Sequence, residues 1–241
     1  VIIIRAPKIE TDNIYSLLSQ SSVLYDDEGE VIDNVFGDKN RTIVSIDQVP
    51  DHVQKAFIAL EDKTFEKHHG FNIIRIFGAV KDAVIHGGGI SKRSINRKIT
   101  EAYYAVILES KLTKDEILEA YLNTVNFGAG YGVQTASQAY FSKDIEDVTV
   151  AEAAALAALP QAPTAFALVQ QVSADDITED TENLIVKNGD VAYVWNDAAS
   201  NRMKTCLKLM LEQGYITEAE YEEASKTEIK DVVNPTIDAL N

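Results

Sequence analysis

Apolar residues recur at helical spacing along most of this chain. Val53, Ala56, Phe57 and Leu60 stand at i, i+3, i+4 and i+7, which predicts a helix up to Leu60 with Pro50 as its first residue. Ile73, Phe77, Val80 and Val84 repeat the pattern over about 72–85, and Gly87-Gly88-Gly89 ends it. Ile95, Ile99, Ala102 and Val106 predict a helix over 92–110. Thr113 with Glu116, Thr149 with Glu152 and Thr217 with Glu220 form capping boxes, so three more helices start there. The first carries Ile117, Leu118, Tyr121 and Leu122 and stops near Asn123. Gly128, Gly130 and Gly132 then make a loop, and Val133 to Tyr140 a short helix. The alanine-rich helix from Thr149, Ala151 to Leu159, ends at Pro160. Alanine permits close helix contact, so this helix is expected at the centre of the packing. A further helix runs to Gly214 as its cap, and the helix from Thr217 reaches about Ser225.

Two stretches read as hairpins. Val23-Leu24-Tyr25 and Val31-Ile32 flank the turn residues Asp26-Asp27-Glu28-Gly29. Leu184-Ile185-Val186 and Val191 to Trp195 bracket Asn188-Gly189, which predicts a two-stranded ribbon with a type I′ turn at that pair. Val44 to Asp47 reads as extended. The pattern is that of a mainly α fold with short β-hairpins. Three parts follow: 1–44 as an N-terminal segment with a hairpin, 45–229 as the main domain with 171–196 as an inserted acidic loop and hairpin, and 230–241 as a linker. The apolar Val1 to Ile4 reads either as a strand or as the tail of a removed membrane span.

Composition narrows the function. The 241 residues are 46% hydrophobic, enough for a real core, and carry a net charge of −16. A nucleic-acid partner is not expected of so acidic a chain. The single cysteine, Cys206, rules out a disulfide framework, and four histidines with only His68 and His69 adjacent give no zinc spacing.

Against that acidity, Lys92, Arg93, Arg97 and Lys98 form a basic helix start with no acid before Glu101. Arg97, Lys98 and Glu101 share nearly one face. They read either as helix salt bridges or as a cationic shelf for a phosphate beside a carboxylate. Glu61 and Asp62 end the apolar helix that begins near Pro50. A carboxylate at the mouth of such a helix is a candidate general base; the plainer reading is a solvated helix end.

Taken together, these motifs resemble those of the peptidoglycan glycosyltransferases. Glu61-Asp62, Phe65, His68 and Gly70 resemble the family's first motif, and Arg97-Lys98-x-x-Glu101 its third. Glu116 to Asn123 is similar to the next, followed by Phe127-Gly128 and Tyr131-Gly132-Val133. Glu152-Ala153-Ala154 with Leu159-Pro160-Gln161-Ala162-Pro163 resembles the last. They stand in family order over roughly residues 45–225. The resemblance implies a lysozyme-like helical domain with a small jaw subdomain against the membrane. It implies polymerisation of lipid II into glycan strands on the extracytoplasmic face of a bacterial membrane, with Glu61 as the base toward a sugar 4-hydroxyl. Glu101 would assist departure of the lipid diphosphate, through a divalent cation (Mg²⁺ or Mn²⁺) or by orienting Arg97 and Lys98. Asp62, Phe65, His68, Gly70, Arg97, Lys98, Glu119 and Asn123 would bind or shape the substrate. A C-terminal transpeptidase domain and other cell-wall synthesis proteins are the partners it implies.

The family's second motif, Gly-Gly-Ser-Thr-x-Thr-Gln-Gln, has no counterpart here. Gly87-Gly88-Gly89-Ile90-Ser91 matches its start, and Arg93 to Lys98 matches the residues just before and into the third motif. A break in the chain is therefore expected between Gly87 and Arg93, near Ser91-Lys92. Two other readings stay open: a lysozyme-like hydrolase or lytic transglycosylase, which needs no diphosphate clamp, and a non-catalytic glycan-binding scaffold.

Overall fold

The computed structural model describes residues 22–25, 31–35, 42–67, 110–160, 166–179 and 181–234. The N-terminal apolar run, the first hairpin's turn, the helices expected over 72–85 and 92–109, the glycine triplet with its expected chain break, and 235–241 lie outside these residues.

The described part is mainly α. Strands β1 (Ser22–Tyr25) and β2 (Val31–Val35) pair antiparallel, as predicted. Val44 to Asp47 departs from its extended reading. Ser45 and Gln48 form a capping box, with the Ser45 N–H donating to Gln48 Oε1 at 3.1 Å, and Ile46–Gln48 tightens into a 3₁₀ turn. Helix α1 (Asp51–Glu61) follows. Pro50 is its N-cap, one residue before the predicted place: its ψ is 146°, and its carbonyl accepts from Val53 and Gln54.

Helices α2 (Lys114–Thr124), α3 (Val133–Phe141) and α4 (Val150–Ala158) come next. Two compact units emerge, one of Val1–Leu17 with Thr64–Ala120 and one of Leu18–Lys63 with Tyr121–Asn241. In the larger, α1 and α4 pack on each other and on α5 (Asp197–Glu212). Residues Ala151 to Leu159 are all buried, so the alanine helix is central, as its composition predicts. Its charged Glu152 is buried too, closing the capping box with Thr149 and meeting Lys143 Nζ at 2.8 Å.

The second hairpin belongs to a three-stranded antiparallel sheet of order β3-β5-β4: β3 (Val169–Ser173), β4 (Leu184–Asn188) and β5 (Val191–Trp195). The reading of a two-stranded ribbon missed β3, whose Val-Gln-Gln-Val-Ser carries no turn signal to bracket it. The turn also moves by one residue. Asn188 pairs with Val191, which leaves Gly189-Asp190 as the loop, and only Gly189 has positive φ (61°). One positive φ, on a glycine in the first central position, fits a II′ turn and not I′.

Helix α5 ends in a Schellman motif. Gly214 sits at φ 72°, its N–H donates to Leu211 O, and Tyr215 N–H donates to Met210 O. Helix α6 (Glu218–Ala224) starts at its Thr217 box. The stretch from Lys230, read as linker, begins instead inside a last helical turn, α7 (Ile229–Val232). Ile229 and Val232 are buried, and Asn234 N–H donates to Tyr140 O at 2.8 Å. Two apolar residues three apart suffice to dock one turn, too short a period to stand out in sequence.

Candidate active site

Glu61 is where the sequence placed it, at the C-terminal end of α1. The helix under it is anchored by Val53, Ala56, Phe57, Ile58 and Ala59, all buried, and the Phe57 ring meets Tyr121 and Phe127 edge-on at 6.2 and 5.9 Å. The buried arc is wider than the predicted stripe, and Leu60 is only half-buried. At the other end, His52 Nε2 lies 2.6 Å from Val148 O. Asp62 terminates the helix with its N–H on Ile58 O at 3.1 Å and φ −151°, ψ 85°. The carboxylate of Glu61 is thus carried on a rigid strut. Its side chain is 39% exposed, while its Oε1 is sealed from solvent.

Three groups of the same unit surround it. Arg202 Nη2 stands 3.9 Å from Glu61 Oε1. The Tyr121 phenol is pushed above its ordinary value by burial first and by the Glu61 charge second, so it stays protonated. The Cys206 thiol is pushed up to about 12, mainly by burial, and its Sγ approaches Ala56 O at 3.5 Å. It is an inert core group, as predicted. Arg202 is the residue that sequence reading missed. Nothing in its local pattern marks it, because its place beside Glu61 comes from packing two helices far apart in sequence.

The other expected site residues divide. Asn123, expected at the substrate, is 1% exposed and belongs to the scaffold: Val44 N–H donates to its Oδ1 at 3.0 Å, and its Nδ2 donates to Val44 O at 2.8 Å. A buried amide bonded to backbone on both ends ties 44 to 123. Phe65 and Glu119 lie in the smaller unit, both half-buried, and Lys114 Nζ sits 4.4 Å from the Phe65 ring centre. His68, Gly70, Arg97, Lys98 and Glu101 lie outside the described residues, so the cationic shelf does as well. Among the described residues no group of three His, Cys, Asp or Glu side chains could hold a metal ion. Nor is any described helix long and apolar enough to cross a membrane.

The glycine loop after α2 is built on the same scaffold. Gly132 has φ 87°, ψ 150°, and a Cβ there would meet Asn123 O at 3.1 Å. Tyr140 donates from its hydroxyl to Phe127 O at 2.8 Å and fixes the loop from beneath.

Comparison with known proteins adds to this geometry. The family model described as Transglycosylase matches residues 28–92 and 89–189. The two pieces meet where the second motif has no counterpart. Penicillin-binding protein 1A of Clostridium perfringens strain 13 is 36% identical over 245 residues, covering 92% of this chain and 33% of that protein. Penicillin-binding protein 1A/1B of Bacillus subtilis is 34% identical over 250 residues, covering 96% of this chain and 24% of that protein. The chain therefore spans about a third or less of these curated relatives. A crystal structure of penicillin-binding protein 1A from Haemophilus influenzae aligns over 91% of this chain and 22% of that one, with 24% identity and a TM-score of 0.47.

Proposed function

The chain belongs to the transglycosylase family, and from that membership we propose that it is a peptidoglycan glycosyltransferase acting on lipid II. The observation that carries the reading is Glu61, a half-exposed carboxylate on the rigid end of a buried helix. In this reading Glu61 takes the proton of the attacking sugar 4-hydroxyl. That oxygen bonds to the anomeric carbon of the second sugar, whose bond to the lipid diphosphate breaks. The leaving group departs as undecaprenyl diphosphate, and stabilising its charge is the larger demand on the site. Arg97, Lys98 and Glu101 are assigned to that role. A divalent cation stays part of the proposal, resting on Glu101 and the substrate's own diphosphate. Asp62, Phe65, His68 and Gly70 are assigned to shaping the substrate site, and Glu119 to binding the substrate.

In the same reading the domain works at the outer face of a bacterial membrane, with the growing glycan strand as its product and a transpeptidase domain in the whole protein. The deciding experiment incubates the chain with labelled lipid II, with and without Mg²⁺ or EDTA, and sizes the products. Long glycan is the expected result. Shortening of preformed glycan would instead mark a hydrolase or lytic enzyme, and binding without turnover a scaffold. Glu61→Gln keeps shape but accepts no proton, so polymerisation should be lost with lipid II binding largely kept. Near wild-type turnover in this variant would refute the role.

A further inference from the structure

Arg202 is held from two sides, and neither hold explains where its third contact points. Its Nε donates to Ala158 O at 2.9 Å, in the last turn of α4, where a cation suits the helix dipole. Its guanidinium carbon lies 5.4 Å from the centre of the Phe166 ring. Hydrogen bonding on one edge and stacking on one face remove the freedom of a planar guanidinium. Of the two terminal nitrogens, Nη2 faces Glu61 Oε1 at 3.9 Å.

We propose that Arg202 is a positioning residue for Glu61, clamped by Ala158 and Phe166 so that it draws Oε1 inward and fixes the orientation of the carboxylate. The inference rests on the reading of Glu61 as base. Oε1 is sealed from solvent although the side chain is 39% exposed, so the exposure belongs to the other atoms. The other titratable groups described beside Glu61, Tyr121 from α2 and Cys206 from α5, are held neutral and do not offset the arginine's charge. Capping α4 alone would need only Nε. The clamp also accounts for Phe166, whose ring lies against the arginine that faces the base.

The test measures initial rates on labelled lipid II across pH 5–9 for Arg202→Met, Arg202→Lys and Phe166→Leu, with Glu61→Gln alongside and thermal melting of each. Arg202→Met should lower kcat roughly tenfold or more with KM little changed. Arg202→Lys should recover part of the rate, and Phe166→Leu should lower kcat the same way by less. An intact kcat in Arg202→Met, or a loss confined to KM, overturns the inference. If Arg202→Met does not fold, Arg202→Lys and Phe166→Leu decide it by the same readouts. An inactive Glu61→Gln beside fully active Arg202 variants refutes this inference alone. A fully active Glu61→Gln refutes both this and the function it rests on.

Discussion

Both ends of the Asn123 amide are engaged by the Val44 backbone, so the cost of removing it can be argued from what is left behind. Asn123→Ala leaves a buried N–H and a buried C=O without partners and should destabilise by about 2–4 kcal/mol, measured by denaturant unfolding. Activity per folded molecule should be unchanged, which separates scaffold from substrate contact. Cys206 allows a simpler check. With its thiol pushed up to about 12 and fully buried, it should resist alkylation at pH 8 in the native protein and react at once in denaturant. The Glu61–Arg202 pair, half-exposed on one side, should add no more than about 1 kcal/mol to stability. Its value lies in orientation.

Among the elements, the turns and caps carry the sharpest expectations. Gly132 sits in a region of φ and ψ open in practice to glycine alone, and its Cβ position is occupied by Asn123 O at 3.1 Å. Gly132→Ala should therefore cost about 2–4 kcal/mol, strain and contact together. Gly189→Ala separates the two contributions: φ is 61° with nothing near, so it should cost the backbone strain alone, about 1–2 kcal/mol, and less than Gly132→Ala. The helix caps predict a pH dependence. The Glu116 and Glu220 carboxyls are held below the ordinary carboxylate range, first by the backbone N–H of Thr113 and Thr217 and then by their hydroxyls. A lowered folded value means stabilisation that is present above the ordinary value and lost as pH falls through the lowered one. Thr113→Val with Thr217→Val should accordingly start acid unfolding, followed by circular dichroism, at a higher pH than in the wild type.

For the whole molecule, the larger unit is closed by residues from both sides of the smaller one in sequence, and its last turn is structural. Ending the chain at Thr227 removes buried Ile229 and Val232 and the Asn234 bonds to Tyr140 and Ser142. The loss should be roughly 3–5 kcal/mol, read as a lower thermal midpoint. A terminus that behaved as linker would leave the midpoint where it was.

Much of this was legible in the residues alone. Helical periodicity located α1, Gly214 marked the end of α5, and the three boxes at Thr113, Thr149 and Thr217 formed as drawn at the starts of α2, α4 and α6, because these signals are local: each joins residues within one or two turns. Glu61 and Asp62 could be assigned for the same reason, since an apolar stripe leads to them directly. What the stripe could not say is which side chains from elsewhere would meet its end. Arg202 reaches Glu61, and Asn123 reaches Val44, across long sequence separations. β3 has no signature until β5 pairs with it, and α7 none until Tyr140 and Ser142 receive Asn234. Local pattern determined which segments fold and where their charges lie. Only packing decided which of those charges became neighbours, because a charge pair or a backbone–amide bond depends on the distance between elements, and no single element encodes it.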